Sequence, residues 1–106
     1  MKGTHLGEFQ EIVMLSILIL DEKAYGVTIQ EDLETRMNRK TSRGALQTAL
    51  TRLEEKGFIT SAYGEPTAER GGRRKRYYQV SNKGLETLKE AKELRQDMWK
   101  LIPKLA

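Results

Sequence analysis

The chain has 106 residues, 38% of them apolar and 32% charged, with a net charge of +4. That length fits one domain and lets a chain bury only roughly 60–70% of its unfolded surface, so the core is lean and a partner subunit would extend it. With no cysteine there is no material for disulfides, thiolate metal sites or a thiol nucleophile, and the single histidine, His5, leaves few ways to assemble a zinc site or a histidine-based triad. No catalytic residue, metal site or cofactor is therefore expected. The longest apolar run, Ile12–Leu20, contains Ser16 and is flanked by Glu8, Glu11, Asp21 and Glu22. It is too short for a membrane span, which needs about 18 residues, and its acidic flanks argue against a signal peptide. A cytoplasmic protein with no membrane partner is expected.

The basic residues are unevenly placed. Residues 36–43 carry Arg36, Arg39, Lys40 and Arg43 without an acid, and residues 70–76 carry Arg70, Arg73, Arg74, Lys75 and Arg76 without an acid. Removing these nine leaves ten basic residues against fifteen acidic ones, a net of −5. Two basic patches on an acidic body point to a directed polyanion contact. The competing reading is that each is an ordinary solvated cluster, and the fold must decide whether they lie side by side.

Along the chain, Gly7–Leu20 is apolar on nearly every face and reads as a buried central helix, with a short strand as the competitor. After a polar break, Asp21–Ala24, a second helix starts near Tyr25-Gly26, with Ile29, Leu33 and Met37 as its stripe. Tyr25 reads as a packing feature of the helix start. Asn38–Thr41 forms a polar, basic turn. Ser42 is the N-cap of a third helix with the apolar stripe Ala45, Leu46, Ala49, Leu50 and Leu53, and Gly57 stops it. Its opposite face carries Gly44, Gln47, Thr48, Thr51 and Glu55, with Arg43 and Arg52 on the shoulders. A merely solvated face tends toward Glu and Lys, whereas this small, neutral, hydrogen-bonding face suits close approach to another surface.

Two extended runs follow, 58–63 and 76–80, rich in β-formers. They are joined by Gly64–Lys75, a connection too long for a tight turn and basic at its end. Tyr77 and Tyr78 alternate across the strand, so one faces outward and the other enters the core. Ser81 then caps a long helix reaching about Ile102, where Pro103 limits it. Leu85, Leu88, Ala91, Leu94, Met98, Leu101 and Leu105 make a nearly heptad seam. This seam either pairs with a second copy by two-fold symmetry or folds back on residues 9–20. The fold class is mainly α with a small two-stranded β wing: a winged helix-turn-helix over 1–80 and a C-terminal dimerisation helix over 81–106.

The stretches GALQTALTRLEEKGFITS (44–61) and GEPTAERGGRRKRYYQVSNKG (64–84) closely resemble the PadR family of bacterial transcriptional regulators. LGEFQEIVMLSILIL and AYGVTIQEDLE at the front resemble it too. The resemblance covers about residues 6–88, with RGGRRKRYY its most specific part and the chain similar to the short branch with one C-terminal helix. It implies a homodimer that binds operator DNA, usually as a repressor. Many members carry at the position of Gln47 a tyrosine that reaches toward DNA. Glutamine can instead pair with adenine, so the position is carried over and the tyrosine contact is not.

On this reading the third helix enters the major groove of double-stranded DNA with its N-terminal end leading. Ser42 and Arg43 meet a phosphate, Gln47, Thr48 and Thr51 reach base edges or nearby phosphates, and Arg52 flanks them. Arg39 and Lys40 of the turn and Arg70, Arg73, Arg74, Lys75 and Arg76 of the wing reach the backbone or minor groove. Met98, Trp99 and Ile102 mark the dimer interface. Family resemblance implies a planar hydrophobic effector there, for which Trp99 would offer a stacking surface; the alternative is that Trp99 only packs. The other function classes are a module binding structured RNA and one binding an acidic protein partner, both without gene control. A-form RNA has a major groove that does not admit a helix, so the Gln47–Thr51 face favours DNA.

Overall fold

The computed structural model describes residues 6–65 and 74–103. It contains α1 (Glu8–Leu20), α2 (Gly26–Met37), α3 (Arg43–Glu55), β1 (Ile59–Tyr63), β2 (Arg76–Val80) and α4 (Asn82–Lys100), with a 3₁₀ turn, Asp21–Lys23, after α1. The strands pair antiparallel, Ile59 opposite Val80 and Tyr63 opposite Arg76. Three helices, a hairpin and a long last helix make the winged helix-turn-helix arrangement expected from the sequence.

Local chemistry places the boundaries. Ser42 Oγ accepts from the Ala45 N–H at 3.0 Å, and Ser81 Oγ does the same for Gly84 at 3.0 Å, each satisfying one of the unpaired donors of a first helical turn. Gly57 adopts φ +78 after α3, a left-handed conformation that lets Gly57 and Phe58 N–H groups return to the Glu54 and Leu53 carbonyls. The α2–α3 turn is pinned by α2 itself. Glu34 accepts from the Thr41 N–H at 2.8 Å, and Gln30 donates to the Thr41 carbonyl at 2.8 Å. Thr41 is accordingly buried within this polar turn.

The core joins Val13, Met14 and Ile17 of α1 to Ile29 and Leu33 of α2, Leu46, Ala49, Leu50 and Leu53 of α3, and Ile59 and Tyr78 of the hairpin. Ser16, the polar interruption of the first apolar run, is buried and donates to Asp32 at 2.8 Å. Burial works against the Asp32 charge, but hydrogen bonds from Arg36 and Ser16 outweigh it and hold the carboxyl below its ordinary pKa. Gly84 sits where α4 crosses the end of α3; a Cβ there would collide with the Phe58 carbonyl, so α4 leaves the body at one fixed place.

Two details differ from the sequence reading. α1 is central but not buried all round: Leu15, Leu18 and Ile19, spaced as one helical face, are 42%, 42% and 56% exposed. The other helices and the hairpin cover the opposite side of α1, and α4 only flanks this one. Ala45 is exposed as well, because at about 100° per residue it falls to the side of the buried stripe of Leu46, Ala49, Leu50 and Leu53. For the last helix, the fold-back alternative holds in part. Leu88 packs into the core and Arg95 pairs with Glu11 of α1 at 2.9 Å, yet Leu94, Met98, Trp99, Leu101 and Ile102 remain exposed. Leu105 lies outside the described residues.

Candidate nucleic-acid interface

The apolar stripe of α3 packs down, so Ser42, Arg43, Gln47, Thr48, Thr51 and Arg52 are all exposed on the other side. Gln47, Thr48, Thr51, Arg52 and Glu55 line a shallow hollow of about 240 Å³ along this face, with Gln47 Nε2 3.4 Å from Thr51 Oγ1. Beside it, a cleft of about 310 Å³ opens between the N-terminal turns of α2 and α3, lined by Gly26, Gln30, Arg43, Gly44, Leu46 and Gln47. Both glycines border open space. Two helix N-termini therefore meet there with unpaired N–H groups and the positive ends of their dipoles, beside a guanidinium: conditions that favour an anion. Arg39 and Lys40 are exposed on the adjoining turn, so the first basic patch borders the α3 face.

The second basic patch is divided. Arg70 and Arg73 lie outside the described residues. Arg74 is exposed and stacks over Tyr63, 5.4 Å from the ring centroid. Lys75 and Arg76 are engaged within the fold: Lys75 Nζ lies 3.3 Å from the Tyr25 hydroxyl, and Arg76 pairs with Glu54 of α3 at 3.1 Å. Tyr63, 60% exposed and flanked by Arg74 and Arg76, belongs to this surface and was missed in the sequence reading. The alternation Ile59, Ser61, Tyr63 places it on the same hairpin face as Tyr78, and that was the signal available.

Tyr78 is the buried member of the tyrosine pair, and Tyr77 is half-buried. Burial pushes the Tyr78 phenol up, against the opposing effects of Arg76 and Gln47.

Met98 and Trp99 are exposed on the last turns of α4, and Ile102 is exposed just beyond its end. Trp99 also borders a cleft of about 470 Å³ between α1 and α4, floored by Leu15, Leu18, Leu85 and Leu88 and rimmed by Lys89 and Lys92. Its size is within the usual ~300–1,000 Å³ of small-molecule pockets. Among the described residues no group of acidic or histidine side chains could hold a metal ion, and no helix is long and apolar enough to cross a membrane.

The family model described as the transcriptional regulator PadR-like family matches residues 14–90. Among solved structures, a transcriptional regulator from Clostridium thermocellum is similar at 28% identity with a TM-score of 0.68, over 92% of this chain and 90% of that one. A PadR family transcription regulator from Clostridium difficile shares 28% identity with a TM-score of 0.56, over 91% and 92%. A PadR-like transcriptional regulator from Bacillus cereus has the same fold at 21% identity, with a TM-score of 0.67 and 89% of each chain covered. Comparison with curated proteins gives no match.

The buried phenol has a measurable consequence. Because the fold favours neutral Tyr78, its contribution to stability is complete below the ordinary tyrosine pKa of about 10 and is lost as pH rises through the raised value. A spectrophotometric titration is expected to show a phenol ionising above pH ~10, and Tyr78→Phe should remove that late component. A titration curve unchanged by the substitution would contradict the assignment.

Proposed function

The chain belongs to the PadR-like family of transcriptional regulators, a family of regulators and not of enzymes, and we propose that it acts in the cytoplasm as a dimeric, sequence-specific DNA-binding repressor. The observation that carries this reading is the cleft between the N-terminal turns of α2 and α3, adjoining the exposed, neutral face of α3. A phosphate in that cleft, held by Arg43 and the first-turn N–H groups, seats the N-terminal end of α3 in the major groove. Gln47, Thr48 and Thr51 then lie along base edges or the nearest phosphates. Ser42, Arg39, Lys40 and Arg52 border the same groove. Arg74, with Arg70 and Arg73 of the wing, reaches the neighbouring backbone or minor groove.

Two copies pair through the surfaces that one copy leaves open: Leu15, Leu18 and Ile19 of α1, and Leu94, Met98 and Trp99 of α4 with Leu101 and Ile102 just after it. Both helices offer apolar residues spaced by three or four, the pattern of a helix seam. On this division residues 1–80 read DNA and the helix beyond 81 dimerises, its first turns also packing on the DNA-reading body. Two-fold pairing presents two α3 helices to a pseudo-palindromic operator, with half-sites roughly 34–36 Å apart or a multiple of that. Planar hydrophobic effectors enter the α1–α4 cleft beside Trp99 and weaken operator binding.

Three measurements test these statements. Fluorescence anisotropy should show tight binding to a duplex from upstream of the protein's own gene. The salt slope should be steep, about 0.9 log units per phosphate contacted, with weaker binding to random duplex and hairpin RNA. Equal weak binding to all three would reduce the basic patches to general electrostatics, and no binding at low salt would favour an acidic protein partner. Sedimentation velocity should give a dimer that Leu18→Glu converts to monomer, since burying an unpaired carboxylate in that seam is costly; a monomeric wild-type protein would overturn the pairing. Trp99 emission should change with planar hydrophobic compounds that also lower duplex anisotropy, and a panel leaving both signals unchanged would remove the effector.

A further inference from the structure

The two cations at the base of β2 differ in use from Arg74 beside them. Consecutive side chains of a strand point to opposite faces, and this hairpin finds a partner on each. On one face Lys75 and Tyr77 meet Tyr25 at the start of α2. Lys75 Nζ lies 4.4 Å from the Tyr25 ring centroid and 3.3 Å from its hydroxyl. The Tyr77 ring meets the Tyr25 ring edge-on, with centroids 5.5 Å apart and planes at 70°. The two backbones are bridged at the same place, with the Tyr78 N–H donating to the Ala24 carbonyl at 2.9 Å. A Cβ on Gly64 would come within 2.7 Å of the Tyr77 ring, so the absence of a side chain there makes room for the contact.

On the other face Arg76 meets α3. Its Nη2 donates to Glu54 Oε1 at 3.1 Å and its Nε donates to Ser61 Oγ at 2.9 Å. The Ser61 hydroxyl donates in turn to Glu54 Oε2 at 2.7 Å. This closed ring of three side chains joins both strands to the C-terminal half of α3. Two strands alone make a marginal unit in water, so the pitch of such a hairpin depends on contacts of this kind.

We infer that Lys75 and Arg76 are positioning residues: Tyr25–Lys75 and Glu54–Ser61–Arg76 brace the wing from opposite sides and set its pitch relative to α3. Arg74 and Tyr63 are thereby held at a fixed offset from the α3 face, and the basic run contributes both support and contact. The inference rests on the DNA-binding reading for its consequence, though the brace itself can be tested without DNA.

Glu54→Gln gives a test by sign. It removes a negative charge and loosens Arg76, so simple electrostatics would strengthen binding to any DNA. The brace requires weaker discrimination. The probes are a duplex selected by the wild-type protein from a random-sequence pool and an unselected duplex, used with the full chain. Glu54→Gln and Tyr25→Leu should each lower the preference for the selected duplex about tenfold. Tyr25→Phe, which keeps both ring contacts, should remain near wild type. Hydrogen exchange supplies the independent readout, because it reports local opening. Amides of residues 60–63 and 76–79 should exchange about tenfold faster in Glu54→Gln and Tyr25→Leu, a change equivalent to ~1.4 kcal/mol, while those of α1 stay unchanged. Unaltered hairpin exchange in both variants would overturn the brace, as would a Glu54→Gln protein with a greater preference for the selected duplex. If the wild-type protein selects no sequence, the DNA-binding reading fails, and the brace stands or falls on the exchange rates.

Discussion

The narrow apolar stripe of α3 determines the arrangement of its exposed face. Leu46, Ala49, Leu50 and Leu53 are buried against α1 and α2, and that burial fixes the rotation of the helix about its axis. Because side chains on a helix advance by about 100° per residue, fixing the buried side also fixes the exposed one. Gln47, Thr48 and Thr51 point outward because their neighbours point in. At each end of α3 the turn chemistry acts with the stripe. Ser42 caps the start, Gly57 ends the helix in a left-handed conformation, and Glu34 and Gln30 of α2 hold the turn before it.

Features set by local chemistry were legible in the sequence. The two serine caps, the stop at Gly57 and the extent of β2 all depend on residues within a few positions of one another. The outward face of α3 was also legible, apart from Ala45, which lies at the margin of the buried stripe. Long-range partners were not legible. Lys75 meets Tyr25 across a separation of 50 residues and Arg76 meets Glu54 across 22, so a run of basic residues gave no sign that two of them are held by side chains of other elements. Similarly, uniform hydrophobicity in α1 could not distinguish the side covered by this chain from the side left open at Leu15, Leu18 and Ile19.

Charge in this protein is therefore sorted by the fold as well as by the sequence. The cations of the α2–α3 turn are exposed, next to a cleft where two helix dipoles add their own positive ends. Acidic residues, which repel a polyanion, are partly occupied: Asp32 by Arg36, Glu54 by Arg76, and Glu11 by Arg95. Exposed ion pairs of this kind add little stability individually. Their larger effect is to cancel negative charge locally and to orient the groups they hold.

The long last helix makes the molecule 58 Å in its greatest extent, against 29 and 22 Å across. Its 19 residues form a rod of about 28 Å at 1.5 Å per residue, seated at one end by the close approach of Gly84 to Phe58. Such a rod is a lever with its fulcrum at the body. A rotation of only about 5° at the fulcrum displaces the far end by roughly 2.5 Å over that length. The apolar cleft between α1 and α4 runs along the rod from Leu85 to Trp99, past the Arg95–Glu11 pair, so the width of the cleft and the angle of the rod change together.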